Sequence, residues 1–166
     1  MLKVSIIDGY VDEPTCLGVP PYISPYPRYI AGSIWKYNDT IKINYSTIDQ
    51  IRKNNNFLNI LKKSDLIITI AGVSVPGKYL GGYPVSPFEF VKLLNEIEKP
   101  IKILCGPAAK HGFGISGGKK TKETGFLKNI FHLIIKGDSE TIIYKLLKNK
   151  LNINSIDDTE CRKNAS

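Results

Sequence analysis

The feature that most constrains the fold is an alternation along the chain: apolar runs of strand length are separated by segments of helical period. This pattern signals βαβ units, in which parallel strands are joined by crossover helices. The first strand reads Lys3–Asp8, and its continuous apolar centre suits a strand covered by helices on both faces. Further strands read Ile41–Tyr45, Leu66–Ala71, Ile101–Cys105 and His132–Lys136. Leu66–Ala71 is the most hydrophobic of them and is expected at the centre of the sheet. The first helix is expected to open on Ser24 as N-cap, with Pro25 at the first helical position, and to end near Asn38. Thr47–Asn54 and Phe57–Lys63 read as a helix broken by an asparagine run. Ser86, Pro87, Phe88 and Glu89 open another helix with a capping box. Phe126–Asn129 is a short helical turn, and the last helix runs from a cap at Asp138 or Ser139 to about Lys150. Right-handed crossovers then favour an α/β fold of flavodoxin- or Rossmann-like type: a doubly wound, parallel five-stranded sheet of order 2-1-3-4-5.

A chain of 166 residues is the size of one domain. The domain is placed at residues 1–150, and the polar stretch 151–166 reads as a tail or linker. No apolar run approaches the roughly 20 residues that span a bilayer. The N-terminus enters a strand at once without signal-peptide anatomy, so a cytoplasmic protein is expected. Cys16, Cys105 and Cys161 are widely separated and odd in number, which suits neither a disulfide framework, a zinc site nor an iron–sulfur cluster. No metal ligands and no catalytic constellation are assigned. The net charge of +8 fits an anionic partner such as a nucleotide, RNA or an acidic protein surface. Lysines on solvated helix faces (Lys62, Lys63, Lys92, Lys145, Lys148) explain it equally well. No nucleic-acid-binding motif is present, so nucleic acid is not the favoured partner.

In an open parallel sheet, ligands bind beyond the carboxyl ends of the strands, near the point where strand order reverses. Three long loops leave those ends here: Asp8–Ser24, Gly72–Pro84 and Gly106–Lys120. The second and third hold nine of the fourteen glycines, where backbone can approach a small-molecule ligand closely. Asp8 either orients such a ligand or caps its loop. His111, between glycine and Lys110, is the histidine better placed to touch a ligand, whereas His132 begins a strand and reads as structural. Cys16 and Cys105 read as small packed residues, because nothing near them resembles an activating base. Gly118–Lys119 has the look of a phosphate loop, yet Lys120 stands where Ser or Thr is required and the glycine spacing is wrong.

The stretch HLIIKGDSETIIYKLL resembles the end of the cobalamin-binding-type domain that precedes the catalytic barrel in many radical SAM proteins. That family's last strand runs into a Gly-Glu-Gly-Glu turn; here the turn reads Gly137, Asp138, Ser139, Glu140. Cys105–Gly106–Pro107 is similar to the family's Gly-Gly-Pro turn. DGYVDEPTCLGVPPYISPYPRYIAG and IAGVSVPGKYLGG look like the opening domain of an uncharacterised archaeal branch of these proteins. The resemblance implies a cobalamin-binding-like accessory domain, non-catalytic alone, from a split or truncated radical SAM protein. Its cofactor residues would be Asp8, Gly9, Tyr10, Gly72, Val73, Gly106, Pro107, Ala108, Gly137, Asp138 and Glu140. Its partner would be a radical SAM barrel, downstream or in trans. The C-x-x-x-C-x-x-C motif is absent, so this chain holds no such cluster, and no histidine near Asp8 supplies a D-x-H-x-x-G cobalt ligand. Two other readings stay open: a free-standing nucleotide- or phosphate-ligand enzyme on the same scaffold, and a basic RNA- or protein-binding module.

Overall fold

A computed structural model of the chain describes residues 2–10, 25–54, 56–72, 84–113 and 125–157. The strands are β1 (Lys3–Asp8), β2 (Lys42–Thr47), β3 (Leu66–Ile70), β4 (Ile101–Cys105) and β5 (Leu133–Ile134). All pair in parallel, in the order 2-1-3-4-5, so β3 is central as its uniform hydrophobicity requires. The helices are α1 (Tyr26–Tyr37), α2 (Ile48–Lys53), α3 (Asn56–Lys62), α4 (Pro87–Leu94), α5 (Pro107–His111) and α6 (Ser139–Lys148). No helix among the described residues is long and apolar enough to cross a membrane.

Alternate strand positions feed two cores, one on each face of the sheet. Val4, Ile6, Leu66, Ile68, Ile70 and Ile103 meet α1 and α6 on one face, where those two helices pack side by side. Ile7, Ile67 and Leu104 meet α2, α3, α4 and α5 on the other, around an edge-to-face cluster of Phe90 with Phe113 and Phe131. α2 and α4 both begin with a capping box, Thr47 with Gln50 and Ser86 with Glu89. In each, two backbone N–H groups that the helix leaves orphaned find side-chain acceptors.

Several elements differ from expectation. β2 starts one residue later and runs on to Thr47, because pairing with β1 continues to Asp8 opposite Thr47. The helix opening is set one residue later too: Pro25 is the N-cap and offers no side-chain cap, while Ser24 lies outside the described residues. β5 shrinks to two residues: it starts after His132, whose imidazole Nδ1, at 3.1 Å, accepts the Lys102 N–H that a strand neighbour's carbonyl would otherwise take, and it ends at Ile134 rather than Lys136. The third loop opens with an unexpected helix, α5, since Pro107 is preset for a first helical turn and two alanines follow it. Beyond Lys150 the chain keeps to the fold for several residues: Leu151 and Ile153 pack on the α1/α6 core, and Ile156 is buried in it.

Candidate functional site

All five strands end on one edge, where Asp8, Thr47, Ile70 and Cys105 stand in register across four neighbouring strands. β1 leads to α1 on one face and β3 to α4 on the other, so the reversal point lies between Asp8 and Ile70. The Asp8 side chain is buried there, 1% exposed. Its Oδ1 accepts the Tyr10 N–H at 3.0 Å and its Oδ2 accepts the Tyr45 hydroxyl at 2.7 Å. Burial raises the Asp8 carboxyl above the ordinary aspartate range, and the bonds from Tyr45 and Tyr10 only partly oppose that. The Tyr45 hydroxyl is in turn pushed up by burial and by the carboxylate it serves. No cation pairs with Asp8 among the described residues. A buried carboxyl perturbed by desolvation at this edge is a candidate functional group.

Tyr10 links this carboxylate to the opposite face. Its φ of +64° is a left-handed conformation that bulky residues rarely adopt. The turn aims its hydroxyl at Asp49 Oδ2, 3.0 Å away. Asp49 Oδ1 accepts from Arg52 at 2.7 Å, and Arg52 grips both oxygens of Glu89 at 2.7 Å. A polar chain therefore runs from the sheet edge to the cap of α4. Glu89 is the main reason the Arg52 guanidinium is held even more firmly protonated than usual.

The small residues at the edge are occupied by the protein itself. Gly9 N–H donates to Ile70 O at 2.8 Å, Gly72 N–H to Tyr10 O at 2.9 Å, and Val85 N–H to Gly9 O at 3.0 Å. These bonds bridge the crevice between β1 and β3. A Cβ on Gly9 would stand 2.4 Å from Val85 Cγ1. Gly106, at φ +88° and ψ −177°, lies in a region open only to glycine, and a Cβ there would stand 2.8 Å from Ala71 O. Ala108 is fully buried and its N–H donates to that same Ala71 O at 2.8 Å. The expected glycine-lined room for a ligand is thus, at Gly9 and Gly106, close packing of backbone on backbone.

The sequence-derived residues accordingly form two groups. Asp8, Gly9, Tyr10, Gly72, Gly106, Pro107 and Ala108 gather at the ends of β1, β3 and β4. Asp138 and Glu140, beyond β5 and Gly137, line a groove of about 740 Å³ between α1 and α6 with Arg28, Tyr29, Gly32 and Lys36. Asp138 caps α6 through Thr141 and is hydrogen-bonded to Glu140. That bond holds Asp138 below its usual range, whereas burial first, and Asp138 second, raise Glu140. Val73 and most of the three long loops, including Gly118–Lys119, lie outside the described residues. His111 is exposed at the end of α5. Cys105 is buried with its thiol directed to Thr69 O at 3.4 Å, and burial pushes the thiol far up, out of reach as a nucleophile. Sequence reasoning missed Tyr45, Asp49 and Arg52. A tyrosine on an edge strand and an i, i+3 ion pair carry no signal until the strands are paired.

No family model and no solved structure matches the chain. Among curated proteins, an uncharacterized protein of Methanocaldococcus jannaschii is 45% identical over 147 residues, which cover 88% of this chain and 26% of that protein. An uncharacterized protein of Archaeoglobus fulgidus is 52% identical over 92 residues, 55% of this chain and 17% of its own length. The chain therefore corresponds to about a quarter or less of the curated relatives it resembles.

Proposed function

We propose that this chain is a ligand-binding accessory domain of a larger protein, of the cobalamin-binding-like type, without catalysis of its own. The observation that carries the reading is Asp8: a buried carboxylate at the strand-order reversal, with no cation paired to it among the described residues, held by two tyrosines, one of them in a costly backbone conformation. Fold stability does not call for such a group, and ligand orientation does. The relatives, about four times longer than the matched segment or more, fit a domain that serves another module, for which a radical SAM barrel is the candidate.

The fit to cobalamin is specific about placement. The bridged crevice leaves no room for a nucleotide tail to pass between β1 and β3. The ligand would lie over the carboxyl edge instead, against Tyr10 and the turn at Gly106–Ala108. When bound, cobalamin supplies cobalt-centred radical chemistry. This chain's residues bind it, orient it and offer no histidine near Asp8 to the cobalt. Titrating cobalamin with the purified chain, followed by its visible absorbance, tests the reading. A saturable shift that weakens in Asp8→Asn or Tyr45→Phe is expected. No shift at millimolar cobalamin, with or without the remaining segment of a long relative, refutes it.

A further inference from the structure

The groove between α1 and α6 holds two residues that the fold does not explain. Gly32 sits in the middle of α1, where glycine is the least favourable residue after proline. A Cβ at Gly32 would meet nothing within 4 Å, so no neighbour demands its absence. Arg28 lies in the first turn of the same helix, where the positive end of the helix dipole disfavours a cation, and no acidic residue accompanies it there. Among the described residues no carboxylate forms an ion pair with it. By contrast, Lys36 has an ordinary role in the last turn. Its ammonium, like that of Lys148, rests against the Tyr144 ring, at 5.7 and 5.2 Å from the centroid.

Arg28, Tyr29, Gly32 and Lys36 recur at helical spacing and so share one stripe of α1, facing the groove. Tyr29 leaves 59% of its surface exposed. Bare backbone at Gly32 beside an exposed ring makes a flat seat for a planar group, with a cation at either end. Glu140 offers an acceptor from the α6 wall. A volume of about 740 Å³ is in the range of small-ligand sites.

We infer that the α1/α6 groove binds a phosphorylated nucleoside: the base stacks on Tyr29 over Gly32, Arg28 at one end of the seat takes the phosphate, and Glu140 accepts from ribose. The same chemistry is available in a free nucleotide and in one unit of single-stranded RNA. This inference stands whether or not cobalamin binds at the strand edge.

The test is a calorimetric titration of the full chain with AMP, with adenosine, and with a short oligoadenylate. AMP should bind with Kd of about 1 mM or tighter and adenosine more weakly. A free nucleotide as the natural ligand predicts that the oligomer binds no better per site than AMP. RNA predicts a gain with length and a steep loss with salt. Gly32→Leu should weaken AMP at least about tenfold by filling the seat. The same variant should melt at the wild-type temperature or about 2–4 °C higher, because leucine is the better helix former and its Cβ has no atom within 4 Å. Tyr29→Ala should weaken AMP comparably. Absence of AMP and oligoadenylate binding at millimolar concentration overturns the inference, as does a Gly32→Leu protein that binds like wild type.

Discussion

Gly106→Ala puts the packing at the sheet edge to a quantitative test. The backbone at Gly106 has φ +88° and ψ −177°, and holding a residue with a Cβ in such a region costs roughly 1–3 kcal/mol. The new methyl would also stand 2.8 Å from Ala71 O and 3.2 Å from Ala71 N. That oxygen already accepts the Ala108 N–H at 2.8 Å, so moving it aside loosens a buried hydrogen bond worth about 1 kcal/mol. The two effects add to roughly 2–4 kcal/mol of destabilisation. At about 3 °C per kcal/mol for a chain of this size, the melting temperature should fall by roughly 6–12 °C. Circular dichroism melts and urea unfolding of wild type and variant measure it, with an unchanged m-value showing that the two states are the same. A variant melting within a degree of wild type would refute the reasoning. It would mean that the backbone relaxes freely at this turn and that glycine is kept there for some other purpose.

Two further predictions follow from the site. Because burial raises the Asp8 carboxyl from its ordinary 3.8, the native state favours the protonated form. The stability this contributes is fully present below that ordinary value and is lost as pH rises through the raised one. The unfolding free energy of Asp8→Asn minus that of wild type should therefore increase between acid and neutral pH, and a flat or falling difference contradicts the assignment. Reconstitution of the chain with iron and sulfide under anaerobic conditions should yield no stable cluster, and Cys105 should resist alkylation until the protein unfolds, since it is buried with its thiol pushed far up. A stoichiometric cluster in the absorbance spectrum, or rapid native labelling at Cys105, would show otherwise.

The sheet was legible chiefly through β1 and β3, which are buried on both faces and so carry continuous apolar centres, KVSIID and LIITI, separated by helical segments. Ser86 with Glu89 was equally legible, since a capping box is a local signal that tertiary context seldom overrides. β5 was not, because its start is decided by a side chain: His132 replaces a ladder carbonyl, and no strand pattern encodes that substitution. α5 was hidden by its neighbours, Gly106 and Gly112, whose loop character masked Pro-Ala-Ala between them. The candidate site divides in the same way. Asp8 could be singled out because a carboxylate closing an apolar strand breaks the pattern visibly. Tyr10 entered only through the family resemblance, and that it holds Asp8 depends on a left-handed turn, while Tyr45 was missed because its position depends on the register of an edge strand.

The glycines show where such reading must give way to coordinates. In sequence, Gly9 and Gly106 follow strands and Gly32 lies in a helix, but nothing there says what each glycine is for. In space they answer different demands. Gly9 and Gly106 lack a Cβ because the protein's own backbone and side chains fill its place, at 2.4 and 2.8 Å. Gly32 lacks one where nothing stands within 4 Å. A glycine the fold requires stabilises the native state, and replacing it must cost stability. A glycine the fold does not require lowers helix stability for as long as nothing binds against it. Alanine at each position should therefore move the melting temperature in opposite directions, down at Gly106 and up at Gly32, and that difference in sign locates binding surface independently of any ligand's identity.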